Sequence, residues 1–209
     1  MKNINKFITE YIVKKKLDKP IDSEDHYEYF PKTKTELLDN IKELFDKGET
    51  NLNCIDTSNI TDMSRLFDKY ENKNFDVSGW NVSKVKDMYC MFYGCESFDC
   101  DLSKWDVSEV TSMYAMFEGC NKFKGDGLEN WDVSKVKNMN YMFMRCKNFN
   151  CDLSNWNVIK AKNMSYMFYS CKNFDCDLSN WNVNNTKTTT EGMFSYCTSL
   201  KNKPSWYKE

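Results

Sequence analysis

Apolar side chains recur along this chain with a period of about 25 residues. The clearest unit reads WxVSxVxxMxxMFxxCxxFxxDLSx, and an incomplete first copy begins near Ile55. Self-similarity at this period is typical of repeat proteins, in which each unit packs on its neighbours. All six tryptophans occupy one column of this lattice: Trp80, Trp105, Trp131, Trp156, Trp181 and Trp206.

The apolar pattern changes within each unit. Met88, Met91, Phe92 and Cys95 stand at i, i+3, i+4 and i+7, which predicts a short helix with Ser83 as its N-cap. The return to the next Trp-x-Val is poor in helix formers and favours a short strand. We therefore predict an α/β fold, a solenoid of about six 25-residue coils with one short strand and one short helix each.

Two amphipathic stripes precede the repeats. The second is opened by Thr33 and Glu36 as a capping box and closed by Gly48. We predict a helical cap over residues 1–50 and the repeat solenoid over 51–209; alternatively, residues 1–17 with Lys14–Lys16 form a membrane-surface or partner helix. The stripes consist of Ile4, Phe7, Ile8, Tyr11 and Ile12, and of Leu37, Leu38, Ile41, Leu44 and Phe45.

Charge and hydropathy exclude several classes of function. The 29 basic and 31 acidic residues give a net charge of −2, so no global field attracts nucleic acid or an anionic membrane. Only Arg65 and Arg145 are arginines, which further disfavours phosphate or base recognition. No signal peptide and no apolar stretch of about 18 residues is visible, so the sequence predicts a cytosolic protein without a transmembrane segment.

The ten cysteines fall mostly into two columns. Metal sites favour short CxxC spacing, whereas a CxxxxC pattern repeated on a lattice favours reduced thiols packed in the core. Disulfides between the columns and a metal site stay open as alternatives. Cys90 is predicted to be the most exposed thiol, and Cys54 lies at the cap junction. The columns are Cys95, Cys120, Cys146, Cys171 and Cys197, and Cys100, Cys151 and Cys176.

Catalytic motifs are not recognisable in the sequence. The one histidine, His26, has no Ser or Cys partner at a motif spacing, and we predict no catalytic residue, metal or cofactor. The Asn or Asp after each Trp is predicted to tie a turn through its side chain. These residues are Asn81, Asp106, Asp132, Asn157 and Asn182.

Charged and aromatic columns are the candidate binding features. Lysine recurs at one position of the repeat unit, and the last lysine of this column is Lys187. A column of aspartates lies at the opposite part of the unit: Asp76, Asp101, Asp152 and Asp177. Tyr141 and three other tyrosines are candidate aromatic anchors of the kind enriched at interfaces. The alternative is a merely solvated surface. The candidate partner-binding residues are Lys86, Lys137, Lys162, Tyr89, Tyr114 and Tyr166.

The repeat unit resembles a known family. The stretches Trp105–Met116 and Trp131–Trp156, with the lead-in Tyr27–Phe45, are similar to BspA-like leucine-rich-repeat surface proteins, including the mycoplasma-type surface repeat. The resemblance covers about residues 55–206. It implies a right-handed leucine-rich-repeat-like solenoid, adhesion or protein binding at a bacterial surface, no catalytic residues, and a bacterial or phage source.

Three functions are compatible with these features. The first is a non-catalytic scaffold that binds a protein partner through exposed columns. The second is a structural element that self-associates through the ends of the solenoid. The third, which we expect least, is a nucleic-acid-binding module that uses the lysine column.

Overall fold

The computed structural model describes residues 27–183 and 187–208, and most of these lie in turns and irregular segments. The described residues contain one α-helix, α1, at Lys34–Asp46, and one 3-10 turn at Leu128–Asn130. Six isolated parallel bridges join positions in adjacent repeats, such as Asp87 with Ser112, and a seventh joins Tyr29, before α1, to Ile55. The architecture is thus an array of turn-rich repeats preceded by one helix.

Helix α1 begins and ends as the sequence predicts. The Thr33 hydroxyl accepts the Glu36 N–H at 3.2 Å, and Glu36 in turn accepts the Lys32 N–H at 2.6 Å. At the other end Gly48 has a φ of 82°, and the Glu49 N–H donates to the Leu44 carbonyl at 2.9 Å. The buried face consists of Leu37, Ile41, Leu44 and Phe45.

Some predictions for the N-terminal segment lie outside the described residues. They concern the first amphipathic helix, with its stripe from Ile4 to Ile12, the lysines Lys14–Lys16, and His26. The division into a cap at 1–50 and repeats at 51–209 stays a prediction.

The predicted α/β class, a right-handed leucine-rich-repeat-like solenoid of about six coils with a strand and a helix in each, is wrong. Within the described repeats there is no α-helix and no strand ladder. In the segment predicted to be helical, alternate N–H groups leave the segment instead of bonding four residues back. Cys90 and Gly94 donate to the carbonyls of Tyr114 and Glu118 in the next repeat, at 2.8 and 2.7 Å.

Left-handed residues are the physical reason that no helix forms there. Cys90 and Gly94 have φ values of 52° and 72°, which a right-handed helix excludes. Each lies within a tight turn, closed for example by the Met91 N–H on the Met88 carbonyl at 3.2 Å. Consecutive turns therefore reproduce the i, i+3, i+4, i+7 spacing that we interpreted as helical.

The predicted strand is also replaced by turns. The Trp80 N–H donates to the Val77 carbonyl at 3.1 Å, and the Val85 N–H to the Val82 carbonyl at 2.9 Å. Ser83 does not cap a helix, because no helix follows it among the described residues of its repeat. Its N–H instead donates to the Asn81 side chain at 3.1 Å.

Asx turns form up to three corners of a repeat: an Asp or Asn side chain accepts the N–H two residues on. The predicted column after each Trp is confirmed at Asn81, Asp106, Asp132 and Asn157, with distances from 2.9 to 3.3 Å; the corresponding position after Asn182 is outside the described residues. Two further columns were not predicted to form turns: Asp76, Asp101, Asp152 and Asp177, and Asp62, Asp87, Asn138 and Asn163.

The core is built from columns of identical side chains. The predicted stacking of tryptophans is confirmed from Trp105 to Trp206, where successive ring centroids are 6.1–6.5 Å apart and the rings are within 8° of parallel. Each indole N–H also donates to a carbonyl of the preceding repeat, as in Trp156 to Leu128 at 2.8 Å. The hydrophobic columns therefore satisfy their own polar atoms across the repeat boundaries.

Candidate functional site

The three predicted lysines form an exposed column. The N–H groups of Lys86 and Lys137 both donate to the preceding repeat, at 2.9 Å, and that of Lys162 donates to the Lys137 carbonyl at 2.8 Å. Thr111 takes the place of lysine in one repeat. The backbone therefore aligns these side chains, and within the described residues none of the three forms an ion pair.

The four tyrosines contact one another from two adjacent columns. Tyr89 stacks on Tyr114 with centroids 4.8 Å apart, and Tyr141 stacks on Tyr166 at 5.3 Å. Between the two pairs, Tyr114 meets Tyr141 edge to face at 5.6 Å. The position equivalent to Tyr114 in the next repeat is Asn140, whose carbonyl accepts the Ala115 N–H.

A groove with a volume of about 440 Å³ lies beside the first three of these tyrosines. We call it the Tyr–Arg groove. Tyr166 lies outside it, and its hydroxyl donates to Glu191 at 2.6 Å. The groove is lined by Arg65, Tyr89, Cys90, Tyr93, Tyr114, Glu118, Tyr141, Met144 and Arg145.

The two arginines differ in their surroundings. Arg65 forms an ion pair with Asp68 at 3.1 Å and lies over the Tyr89 ring at 5.5 Å. Arg145 is exposed, and its guanidinium has no hydrogen bond or ion pair with a described residue. The groove thus contains one neutralised arginine and one that is free to pair.

Glu118 is the carboxylate of the groove. It is half-buried, and burial raises the pKa of its carboxyl, an effect that the nearby positive charge of Arg145 partly offsets. Its carboxylate accepts no hydrogen bond from a described residue. Arg145 and Glu118 therefore place one charge of each sign in the groove without forming a direct pair.

Cys90 forms part of the groove wall, and its burial contradicts one prediction. Expected to be the most exposed thiol, it is only 4% exposed, and burial raises its pKa. A neutral thiol is a poor nucleophile. The groove therefore offers no activated cysteine.

The first cysteine column packs in the core, as its spacing predicts. From Cys95 to Cys171 its members are fully buried. Each thiol donates to a phenylalanine carbonyl of the preceding repeat, for example Cys146 to Phe117 at 2.9 Å and Cys171 to Phe143 at 2.8 Å. These thiols therefore act as hydrogen-bond donors as well as packing groups.

The buried thiols predict a loss of stability at alkaline pH. Burial raises the pKa of Cys95 to about 12 from an ordinary 9.0, and raises that of Cys146 and Cys171 well above 9.0. The unfolded chain releases these protons first, so the folded state loses stability as pH rises above about 9, by about 1.4 kcal/mol per pH unit for each such thiol.

This prediction can be checked by urea unfolding at pH 8.5, 9.5 and 10.5. The control is the double variant Cys146→Ser/Cys171→Ser, whose hydroxyls can still donate to the same carbonyls but do not ionise in this range. Its stability should fall less steeply with pH than that of the wild type. Equal slopes would contradict the assignment of the effect to these thiols.

A second, acidic surface lies along the predicted aspartate column. The side chains of Asp76 and Asp152 accept serine N–H groups at 2.9 Å, and these hydrogen bonds help to lower their pKa values. One cleft on this surface has a volume of about 730 Å³ and shares no residue with the Tyr–Arg groove. Among the described residues, no group of three or more His, Cys, Asp or Glu side chains is placed to hold a metal ion.

Sequence reasoning missed the two arginines as site residues. It used Arg65 and Arg145 only as evidence against nucleic-acid binding. The alignment of the repeats does assign each arginine to a column: Arg65 precedes Cys90 by one repeat, and Arg145 follows Gly119 by one repeat. That both columns line one groove depends on the turns, which the sequence pattern did not reveal.

Comparison with known proteins gives a family but no relative of known function. No curated protein and no solved structure matches the chain. In the described part of the chain, no helix combines the length and the hydrophobicity needed to cross a lipid bilayer. A family model matches two overlapping segments, residues 33–128 and 101–207, which together span most of the sequence. The chain therefore belongs to the family described as Mycoplasma protein of unknown function, DUF285.

Proposed function

We propose that this protein is a non-catalytic binding module that docks a protein partner on the Tyr–Arg groove and the lysine column beside it. The observation that carries the proposal is the contact between four tyrosines of successive repeats, from Tyr89 to Tyr166, next to both arginines of the chain. Tyrosine and arginine are, together with tryptophan, the residues enriched at the energetic centres of protein interfaces.

Rigidity supports a docking role for the tyrosines. Tyr89 and Tyr114 are stacked within 11° of parallel and are half-buried, so their rings are already ordered before a partner binds. Ordering a free side chain at an interface costs roughly 0.5–1.5 kcal/mol, and a pre-stacked ring avoids most of this cost.

We assign the lysine column to the same docking surface because it lies close to the tyrosines along the chain. Lys86 precedes Tyr89 by three residues, and the Asx turn at Asp87 separates them. Exposed lysines at an interface rim accelerate association with an acidic partner more than they add to final affinity. We assign Lys86, Lys137 and Lys162 this steering role, and Tyr89 and Tyr114 the anchoring role.

An adhesive role at a cell surface, which the resemblance to BspA-like surface proteins implies, belongs to the same proposal. It would be supported by the loss of the protein from intact cells treated with an added protease. Retention of the full-length protein in those cells would argue for a partner inside the cell.

The docking proposal is tested by charge reversal. Affinity capture from an extract of expressing cells would compare the wild type with Lys86→Glu/Lys137→Glu/Lys162→Glu. We expect the partner to be depleted about tenfold or more with this variant, because like charges across an interface cost several kcal/mol.

The chain supplies a matched control. Lys122, Lys147 and Lys172 are exposed lysines of three successive repeats, and all three lie outside the groove. Their triple change to Glu alters net charge equally and should leave capture unchanged. If both triple variants lose the partner equally, the interaction is a general charge effect and the proposed surface is wrong.

Self-association through one end is a second candidate, and a specific observation favours it. In the inner repeats alternate N–H groups donate to the next repeat, as Phe168 does to Met193 at 3.0 Å. The equivalent donors at Gly192, Phe194 and Tyr196 have no acceptor among the described residues. Light scattering over a concentration series tests this candidate, since a strict monomer at every concentration would exclude it.

A further inference from the structure

We infer that the Tyr–Arg groove receives an acidic peptide segment of the partner, with a carboxylate of that segment paired to Arg145 and its backbone laid across Tyr114 and Tyr141. This inference rests on the proposed function and names the chemistry of the partner at the same site. It is carried by the unpaired guanidinium, by the way in which the tyrosine rings are presented, and by the length of the groove.

Charge complementarity identifies Arg145 as the receiving group. Arg65 already forms an ion pair with Asp68, so its charge is neutralised. Arg145 is exposed and has no polar side-chain partner among the described residues, although Glu118 is close enough to interact with it electrostatically. A planar guanidinium binds a carboxylate through two parallel hydrogen bonds, which favours an Asp or Glu side chain as the ligand.

The exposed parts of the tyrosines favour a peptide. Tyr89 and Tyr114 cover one face of each other, and Arg65 lies over the Tyr89 ring, so ring edges and hydroxyl groups are the parts most available to a ligand. The hydroxyls of Tyr114 and Tyr141 form no hydrogen bond with a described residue. Such groups can donate to the carbonyl oxygens of an extended backbone.

The dimensions of the groove match a short segment. The lining residues run from the repeat of Arg65 to that of Arg145, which is three repeat steps, or about 15 Å if adjacent repeats are about 4.8 Å apart like paired strands. An extended chain advances about 3.3 Å per residue, so the groove accommodates about four or five residues. One or two acidic side chains within that length are enough to meet Arg145.

Arg145 can be removed without damage to the fold. Its φ of 64° places it in the left-handed region, in the column in which Gly94 and Gly119 also have positive φ values. Glycine adopts this conformation without steric cost, so Arg145→Gly removes the charge and relieves backbone strain. Ser170 occupies the same column one repeat on, with a φ of 61° and outside the groove, and Ser170→Gly is therefore the matched control.

The test uses fluorescence anisotropy with a labelled decapeptide of alternating Glu and Ser, and with a Lys and Ser peptide of the same length. We expect the wild type to bind only the acidic peptide. Arg145→Gly should weaken binding about tenfold, equivalent to about 1.4 kcal/mol, while Ser170→Gly leaves it unchanged. Glu118→Gln should tighten binding about threefold, because a carboxylate that repels the ligand is removed.

The outcomes separate this inference from the proposed function. Absence of acidic-peptide binding, equal binding of both peptides, or unchanged affinity in Arg145→Gly would each overturn the inference. If the captured partner is lost with the lysine triple variant but retained by Arg145→Gly, the docking surface stands and the acidic-segment assignment fails. If neither variant affects partner capture, the proposed function fails as well.

Discussion

Replacing Trp156 by alanine should lower the free energy of unfolding by about 4 kcal/mol, the range found when large buried aromatic side chains are removed. Trp156 is 3% exposed and is stacked between Trp131 and Trp181, with centroids 6.5 and 6.4 Å away. The change leaves a gap in the middle of the column and an unpaired carbonyl at Leu128, which now accepts the indole N–H. Urea unfolding followed by far-ultraviolet circular dichroism measures the loss.

Two comparisons separate packing from hydrogen bonding. Trp156→Phe retains most of the stacking area but loses the N–H donor, and should cost about 2 kcal/mol. Trp206→Ala, at the half-buried end of the same column, should cost less than Trp156→Ala because it has a ring neighbour in its column on one side, Trp181. Equal losses at the centre and the end would show that stacking between repeats does not stabilise the array.

Replacing Gly127 by alanine should destabilise the protein by about 3 kcal/mol. Its φ is 91°, and an added Cβ would lie 2.2 Å from the backbone nitrogen and 2.5 Å from the Cα of Ser103 in the preceding repeat. Backbone atoms cannot move aside without disturbing the contact between repeats, so overpacking of about 1–3 kcal/mol adds to the left-handed strain of about 1–2 kcal/mol. Thermal and urea unfolding both report this loss.

Gly48→Ala is the control for Gly127→Ala. Gly48 has a similar φ of 82°, but an added Cβ would meet no atom within 4 Å. Only the backbone strain is then introduced, and the expected loss is about 1 kcal/mol. Similar losses at the two glycines would mean that the close approach at Ser103 has no energetic consequence.

The sequence was sufficient for the features that depend on distinctive side chains. The tryptophan column was readable because a large apolar residue at a fixed interval must be buried with its copies. Thr33 and Glu36 identified the start of α1, and the polar residue after each Trp identified one of the three Asx corners. In each of these cases the residue type is enough to predict the local conformation or the burial.

The backbone between these features could not be predicted in the same way. Cys90 and Ala115 adopt φ values near 50°, and neither residue type favours the left-handed region. Their conformation is imposed by hydrogen bonds to the next repeat, which no local pattern encodes. A helix and a run of turns then give the same apolar spacing, and the α/β prediction failed for this reason.

The candidate site was predictable only in part. The lysines and tyrosines were found from their spacing, but Tyr141 follows its tryptophan by ten residues and Tyr114 by nine, which places these two tyrosines in adjacent columns. The unpaired state of Arg145 and the burial of Glu118 arise from contacts between repeats, and only coordinates show them.

The direction of the hydrogen bonds between repeats has a consequence for how such chains vary in length. Phe92 donates forward to Met116, Phe117 donates forward to Met142, and Phe143 donates forward to Met167, so these repeat boundaries use the same donors and acceptors. Excising one whole internal unit therefore brings together two edges that already match, whereas excising a fraction of a unit does not. Gene duplication or loss in steps of one unit can lengthen or shorten the protein while every new junction keeps its bonding pattern.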